Sequence, residues 1–146
     1  MEEHMKTFIN RQVLIASFVA GCLFGAFFKA VENLTGSRVY TLLVNVDYIP
    51  ILKNYRFPEG IEFSFHLVIS WFITAIVFAI RHKYKWNNVT LIKNSVLIQI
   101  FIGCMLFPTT IFSNRTPTFT DYDALFWWLV GHVLYGIMVG TLLRKK

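Results

Sequence analysis

Charge is scarce in this chain, and acidic charge scarcest: eight Asp and Glu stand against fourteen Lys and Arg in 146 residues. Charged residues make up 15% and hydrophobic residues 55%, against roughly 25% and 45–50% in soluble domains. An apolar core under an ordinary solvated surface is therefore not the expected form. Only two cysteines occur, Cys22 and Cys104, each inside an apolar run. Without a CxxC or a Cys/His set at zinc spacing, neither a disulfide framework nor a zinc module is expected, and both read as small apolar side chains. Low-complexity tracts and repeats are absent, so residues 1–146 read as a single domain. No glycine-rich phosphate loop, HExxH, GxSxG or paired-aspartate helix motif is present. Neither an enzyme nor ATP-driven action by this chain alone is expected, and no cofactor or metal is indicated.

What is present is long apolar runs. A hydrocarbon core of about 30 Å needs roughly 20 apolar residues of helix. Four runs reach that length: 13–31, 61–80, 89–107 and 124–143. They do not alternate as barrel strands would. The fold class expected is all-α, an integral membrane four-helix bundle. The first run is long for a signal peptide, and its end, FFKAVENL, lacks a small-x-small cleavage pattern, so it is taken as a helix.

The net charge of +6 would point to nucleic acid in a soluble protein. Here the basic residues flank apolar runs, so the partner is the lipid bilayer and not nucleic acid. Lys6, Arg11, Arg81, Lys83, Lys85, Lys93, Arg144, Lys145 and Lys146 fall on one side, against Lys29, Arg38, Lys53, Arg56 and Arg115 on the other. Positive residues stay inside, so both termini are expected in the cytoplasm. Tyr84 and Trp86 suit the inner aromatic belt, Trp127 and Trp128 the outer one. In the first outer loop Val39, Leu42, Leu43 and Val46 recur at helical spacing before Pro50. They predict a short amphipathic helix, lying on the outer surface or folded over the bundle. The N-x-S/T triplets at Asn33, Asn88 and Asn114 match chance expectation.

Read every fourth residue, each run carries a small or polar stripe. The first gives Ser17, Gly21, Gly25, Lys29 and Asn33; the second Glu62, His66, Ser70 and Thr74. The third gives Ser95, Gln99 and Gly103; the fourth His132, Gly136 and Gly140. Such stripes pack membrane helices, with Gln99, Ser70 and Thr74 expected to satisfy one another. Ionisable residues within spans turn inward or into a cavity. At 1.5 Å per residue, Lys29 lies about 3 Å, His66 about 7 Å and His132 about 12 Å below the outer boundary. Lys29, Glu32, Glu62, His66 and His132 thus form a candidate polar vestibule in the outer half. Asp121 and Asp123 stand near its rim. Plain alternatives exist: Lys29 snorkelling to headgroups, Glu32 and Glu62 as solvated helix ends, His66 bonded to Glu62 one turn away, His132 as a neutral packing residue.

Several segments, in their order along the chain, resemble the YagU-type inner-membrane proteins of bacteria, a family of unknown function. LIASFVAGCLFGAFFKAVE resembles that family's first span, with its Lys and a Glu about a turn later. SWFITAIVFAI resembles the second. FPTTIFSNRTP followed by DALFWWLVGHVLYGI resembles its Phe-Pro turn, Pro-containing loop and Gly-His fourth span. The resemblance places Lys29, Arg38, Phe107, Pro108, Gly131 and His132 at family-type positions. The first outer loop and the C-terminal tail are shorter here. The resemblance implies a bacterial plasma-membrane protein, and a role in acid tolerance has been proposed for such proteins.

Three functions compete. The vestibule points to a proton- or small-solute-linked protein, whether transporter, channel or acid-tolerance factor. A pathway through so narrow a bundle calls for a homodimer. Ordinary packing of the stripes points instead to a non-transporting scaffold or assembly partner. Two intramembrane histidines on different helices raise a bis-histidine haem protein as a third alternative.

Overall fold

The computed structural model describes residues 10–49, 51–52 and 55–144. Lys6, Lys53, Lys145 and Lys146, which entered the charge balance, and Pro50 lie outside the described residues. Four long helices carry the chain: α1, Arg11–Thr35; α3, Glu59–Lys83; α4, Asn88–Leu106; and α5, Tyr122–Leu142. A short α2, Val39–Val44, follows α1, and a 3₁₀ helix over Phe107–Phe112 extends α4. All four long helices are apolar and long enough to cross a membrane. The 25 residues of α1 make about 37 Å, more than the hydrocarbon core requires.

The helix ends are written locally. Asn10, Asn87 and Asp121 each accept a backbone N–H from the first turn of the helix that follows, at 2.8–2.9 Å. Side-chain oxygens at these positions satisfy donors that the helix itself leaves free. α1 stops at Gly36, whose φ of 78° is left-handed and whose N–H returns to Glu32 O; glycine takes that conformation without a Cβ clash. α3 carries Glu59 and Glu62 in its first turn and Arg81, His82 and Lys83 in its last, each sign complementing the helix dipole.

α1 is the hub, packed against α3 on one side and α5 on the other, while α5 packs along α4. α3 and α4, though joined by the short turn at 84–87, are not closely packed against each other. The α4–α5 seam is tight because Gly136 and Gly140 lie on it. A Cβ on Gly136 would stand 2.6 Å from Val96 Cα, and one on Gly140 2.8 Å from Ile92 Cα. Small residues let membrane helices approach this closely. The bundle interior is aromatic: Phe28 stacks on Trp128 at 5.3 Å with the planes 6° apart, and Phe24 lies 4.8 Å from Tyr135.

Polarity is inverted relative to a soluble bundle. Ser17, Ser70, Thr74, Ser95 and Gln99 are buried, while Phe18, Phe72, Leu97, Phe101 and Phe126 are exposed. Such an exterior belongs in lipid and not in water. Trp128 is one departure from the sequence expectation of an outer aromatic belt. It is 2% exposed, because its ring stacks on Phe28 and its indole N–H donates to Gly103 O at 2.9 Å. α2 also turns its apolar residues inward: Val39, Leu42 and Val44 are buried against α1, α3 and α5. The helix is folded over the bundle, and Val46, past its end, is buried with it.

Candidate functional site

The end of the bundle that bears α2 and the 3₁₀ helix gathers ion pairs. Its first anchor is Glu62, on the first turn of α3 and 3% exposed. Arg115 donates to both its carboxylate oxygens, Nη1 to Oε1 at 2.7 Å and Nη2 to Oε2 at 2.9 Å. The parallel fork is the strong geometry for such a pair. Arg115 also lies 3.5 Å from Asp47, and Asp47 accepts Ser113 Oγ at 3.0 Å. One guanidinium therefore ties α3 to both loops. Its pKa is pushed above the ordinary arginine value, chiefly by the hydrogen bond to Glu62. Sequence reading counted Arg115 only as a loop charge. Nothing local marks it as the partner of a residue 53 positions away.

Lys29 is paired with Glu59 and stands 5.1 Å over the Tyr40 ring. Tyr40 donates its hydroxyl to Glu59 at 2.8 Å. Burial, and then the hydrogen bond to Glu59, raises the Tyr40 pKa well above the ordinary tyrosine value. Glu32 accepts both Thr41 N–H and Thr41 Oγ1 at 2.8 Å, and so supplies the cap that Arg38 does not give α2. Asp121 is spent as the N-cap of α5. Lys29, Glu32, Glu59, Glu62 and Arg115 line a cavity of about 340 Å³. The sequence-expected vestibule carboxylates are thus paired or bonded, not free.

His66 and His132 do not line that vestibule. They face a second, smaller cavity of about 60 Å³, together with Ser70, Gln99, Trp128 and Tyr135. One water needs about 10–15 Å³ of such space, so a few waters fit. His66 is 5% exposed and bonds Gly21 O through Nε2 at 3.2 Å; it does not turn to Glu62, whose oxygens Arg115 occupies. His132 is 3% exposed and bonds Trp128 O through Nδ1 at 2.8 Å. Since the partner in each case is a carbonyl, the bonded nitrogen is the donor. Neutral rings then leave the other nitrogen of each as an acceptor. Gly103 makes room for His132, whose Cγ would meet a Cβ there at 2.9 Å.

Ser70 donates to Ser17 O at 2.8 Å and shares a hydrogen bond of 2.7 Å with Tyr135. The expected Ser70–Gln99 pairing is not formed. Gln99 is 1% exposed and its Nε2 has no hydrogen-bond partner. The remaining stripe residues, Ser17, Gly21, Gly25, Thr74, Gly103, Gly136 and Gly140, are all buried. Of the family-type positions, Phe107 is buried, Pro108 opens the 3₁₀ helix, and Gly131 brings α5 against the Phe28 ring. Arg38 reaches Asn114 O at 3.4 Å.

The haem alternative does not fit. Phe24 packs against both imidazoles, with centroids at 5.7 Å from His66 and 5.2 Å from His132. A void of about 60 Å³ leaves no place for a porphyrin between them. Among the described residues no group of three His, Cys, Asp or Glu converges on a metal position.

At the opposite end Arg81, 3% exposed, donates to Leu143 O. Gln12 Nε2 donates to Leu142 O and Arg144 O, both at 3.0 Å. The carbonyls that close α5 are therefore capped by α1 and α3. No protein-family model, curated protein or solved structure matches the chain.

Proposed function

We propose that the chain is a multi-pass protein of the bacterial plasma membrane, YagU-like and with cytoplasmic termini, that links protons or a small solute to its intramembrane cavity. The observation that carries this reading is the cavity itself. Two histidines from α3 and α5 and Gln99, whose Nε2 has no hydrogen-bond partner, line one space with room for a few waters. Ionisable groups at such depth are costly unless they meet water, a partner or a ligand. Histidine is the side chain whose ordinary pKa lies near neutral, and so the one suited to exchanging protons there. The basic residues gathered around the termini and the 81–93 turn support the orientation.

The ion pairs at the other cavity take a different part in the proposal. Glu62, Arg115 and Asp47 hold the loops, and Lys29, Glu59 and Tyr40 hold α2, over the end of the bundle. They are the clasp, and the histidine cavity is the working site.

The test is dissipation of an imposed pH gradient by full-length protein in proteoliposomes. His66→Gln and His132→Gln each lower the flux several-fold while circular dichroism stays that of the wild type. Flux identical in both variants and wild type overturns the reading. A second reading, a non-transporting scaffold, is favoured by the burial of the small and hydroxyl stripe residues in ordinary helix packing. It predicts no histidine-dependent flux and a stable complex, with a second copy or another membrane protein, in mild detergent.

A further inference from the structure

The lining of the histidine cavity reaches the apolar exterior of the bundle. α3 and α4 are consecutive but not closely packed, and the lining of the cavity crosses the gap between them. Ile69 and Ile73 come from α3, Ile102 and Leu106 from α4. Ile69 and Leu106 are exposed, on helices whose other exposed residues, such as Phe72 and Phe101, make up the apolar exterior. Leu42, Leu43 and Tyr48 roof the cavity at the loop end. Among the described residues, charged side chains line the other cavity and not this one. Access is therefore sideways, from the hydrocarbon of the bilayer.

Of the polar residues in the lining, Gln99, His66 and His132 each keep an uncommitted nitrogen, and Gln99 and His132 set the chemistry of the head group. Gln99 lines the cavity, and its Nε2, itself buried, has no hydrogen-bond partner. Leaving such a donor unmade costs free energy, so the site favours an acceptor. His132 uses Nδ1–H on Trp128 O, which leaves Nε2 of the neutral ring as an acceptor and favours a donor.

We propose that this crevice binds a long-chain fatty acid in its undissociated form. The hydrocarbon chain lies between α3 and α4, among Ile69, Ile73, Ile102 and Leu106. The carboxyl carbonyl accepts from Gln99, and the carboxyl O–H donates to His132. A head of three heavy atoms replaces the few waters that a space of about 60 Å³ holds, whereas a phosphate-bearing headgroup with two chains does not fit there. The inference rests on the reading of this cavity as the working site, and names the class of solute it takes.

The test uses full-length protein in nanodiscs of saturated phosphatidylcholine and a palmitic acid carrying a diazirine midway along its hydrocarbon chain. Photolysis followed by peptide mapping is expected to place the label on 69–73 and 102–106. Unlabelled palmitic acid competes; hexadecane does not, and the methyl ester, which lacks the O–H, competes less well. Gln99→Leu lowers capture about tenfold, the scale of one buried hydrogen bond. Ile69→Trp narrows the mouth from an exposed position that the fold does not need, and lowers capture in a protein whose helicity and elution are unchanged. Label spread evenly over the lipid-facing helix surfaces overturns the proposal. So does equal competition by hexadecane, equal labelling by a diazirine phospholipid, or capture indifferent to both variants. Proton flux measured in fatty-acid-free liposomes separates the two readings. Histidine-dependent flux without crevice labelling removes only the ligand class, and labelling without such flux removes only the proton linkage.

Discussion

The Glu62–Arg115 pair is where the fold makes its sharpest energetic claim. Glu62 is buried and its side chain 4% exposed, while the Arg115 side chain is 43% exposed. Removing one partner of a fully buried ion pair costs about 3–5 kcal/mol, because the other charge is stranded. The exposure of Arg115 lets solvent screen part of that, which scales the expectation to about 2 kcal/mol for Arg115→Ala. With Glu62→Gln already in place the buried carboxylate is gone and only the more distant Asp47, 3.5 Å away, is left to strand, so the same Arg115→Ala change costs about 1 kcal/mol or less. The coupling between the two sites is then about 1 kcal/mol, measured by a double-mutant cycle. Reversible unfolding in mixed micelles with rising SDS, followed by tryptophan fluorescence, supplies the four stabilities. If Arg115→Ala costs the same in both backgrounds, the carboxylate is not held by this guanidinium and the description of the clasp is wrong. Asp47 adds a control: at 3.5 Å from Arg115, its replacement by Asn costs less than that of Glu62.

Other consequences are as direct. Gly136→Ala drives a Cβ to 2.6 Å from the Val96 backbone and should destabilise the α4–α5 seam by about 1–3 kcal/mol. Gly60→Ala, with nothing within 4 Å, should leave stability unchanged or slightly raised; SDS unfolding of the pair distinguishes a packing effect from a general glycine effect. Tyr135→Phe removes the 2.7 Å hydrogen bond to Ser70 and should cost about 1 kcal/mol in the same assay. For Tyr40 the folded pKa lies above the unfolded value, by burial and then by Glu59. Its contribution to stability is present below about pH 10 and is lost as pH rises through the folded pKa. Phenolate absorbance, taken as wild type minus Tyr40→Phe, should therefore appear only above the ordinary tyrosine range. Glu59→Gln should move it earlier but not back to the ordinary value, because burial remains.

What the sequence made legible and what it hid follow from the range of the interactions involved. The four spans were readable because a helix in hydrocarbon needs a continuous run of apolar residues, and a run is local. The stripes were readable because i, i+4 spacing is local too. Each helix end was in principle readable from its own residues, as Asn87, Asp121 and Gly36 show. Partner choice was not. Glu62 lies four residues before His66 on one face of α3, and spacing alone makes them neighbours. Arg115, arriving from a loop 53 residues away, takes both carboxylate oxygens and leaves His66 to Gly21 O, 45 residues distant. The lateral gap was hidden for a related reason. A four-residue connection implies that α3 and α4 are neighbours, and they are consecutive around the bundle, but connection length does not set how tightly they pack. Glycine does that at the α4–α5 seam, where Gly136 and Gly140 admit the backbone of α4. The faces of α3 and α4 that line the gap carry Ile69, Ile73, Ile102 and Leu106 instead. Bulky branched residues stand on both sides of the gap, and they line the same cavity as Gln99 and the two histidines. Replacing Ile73 and Ile102 together by glycine should draw α3 and α4 together, measurable as a shorter spin-label distance across the gap. If the distance is unchanged, the crevice is held open from its roof, by α2, and not by its walls.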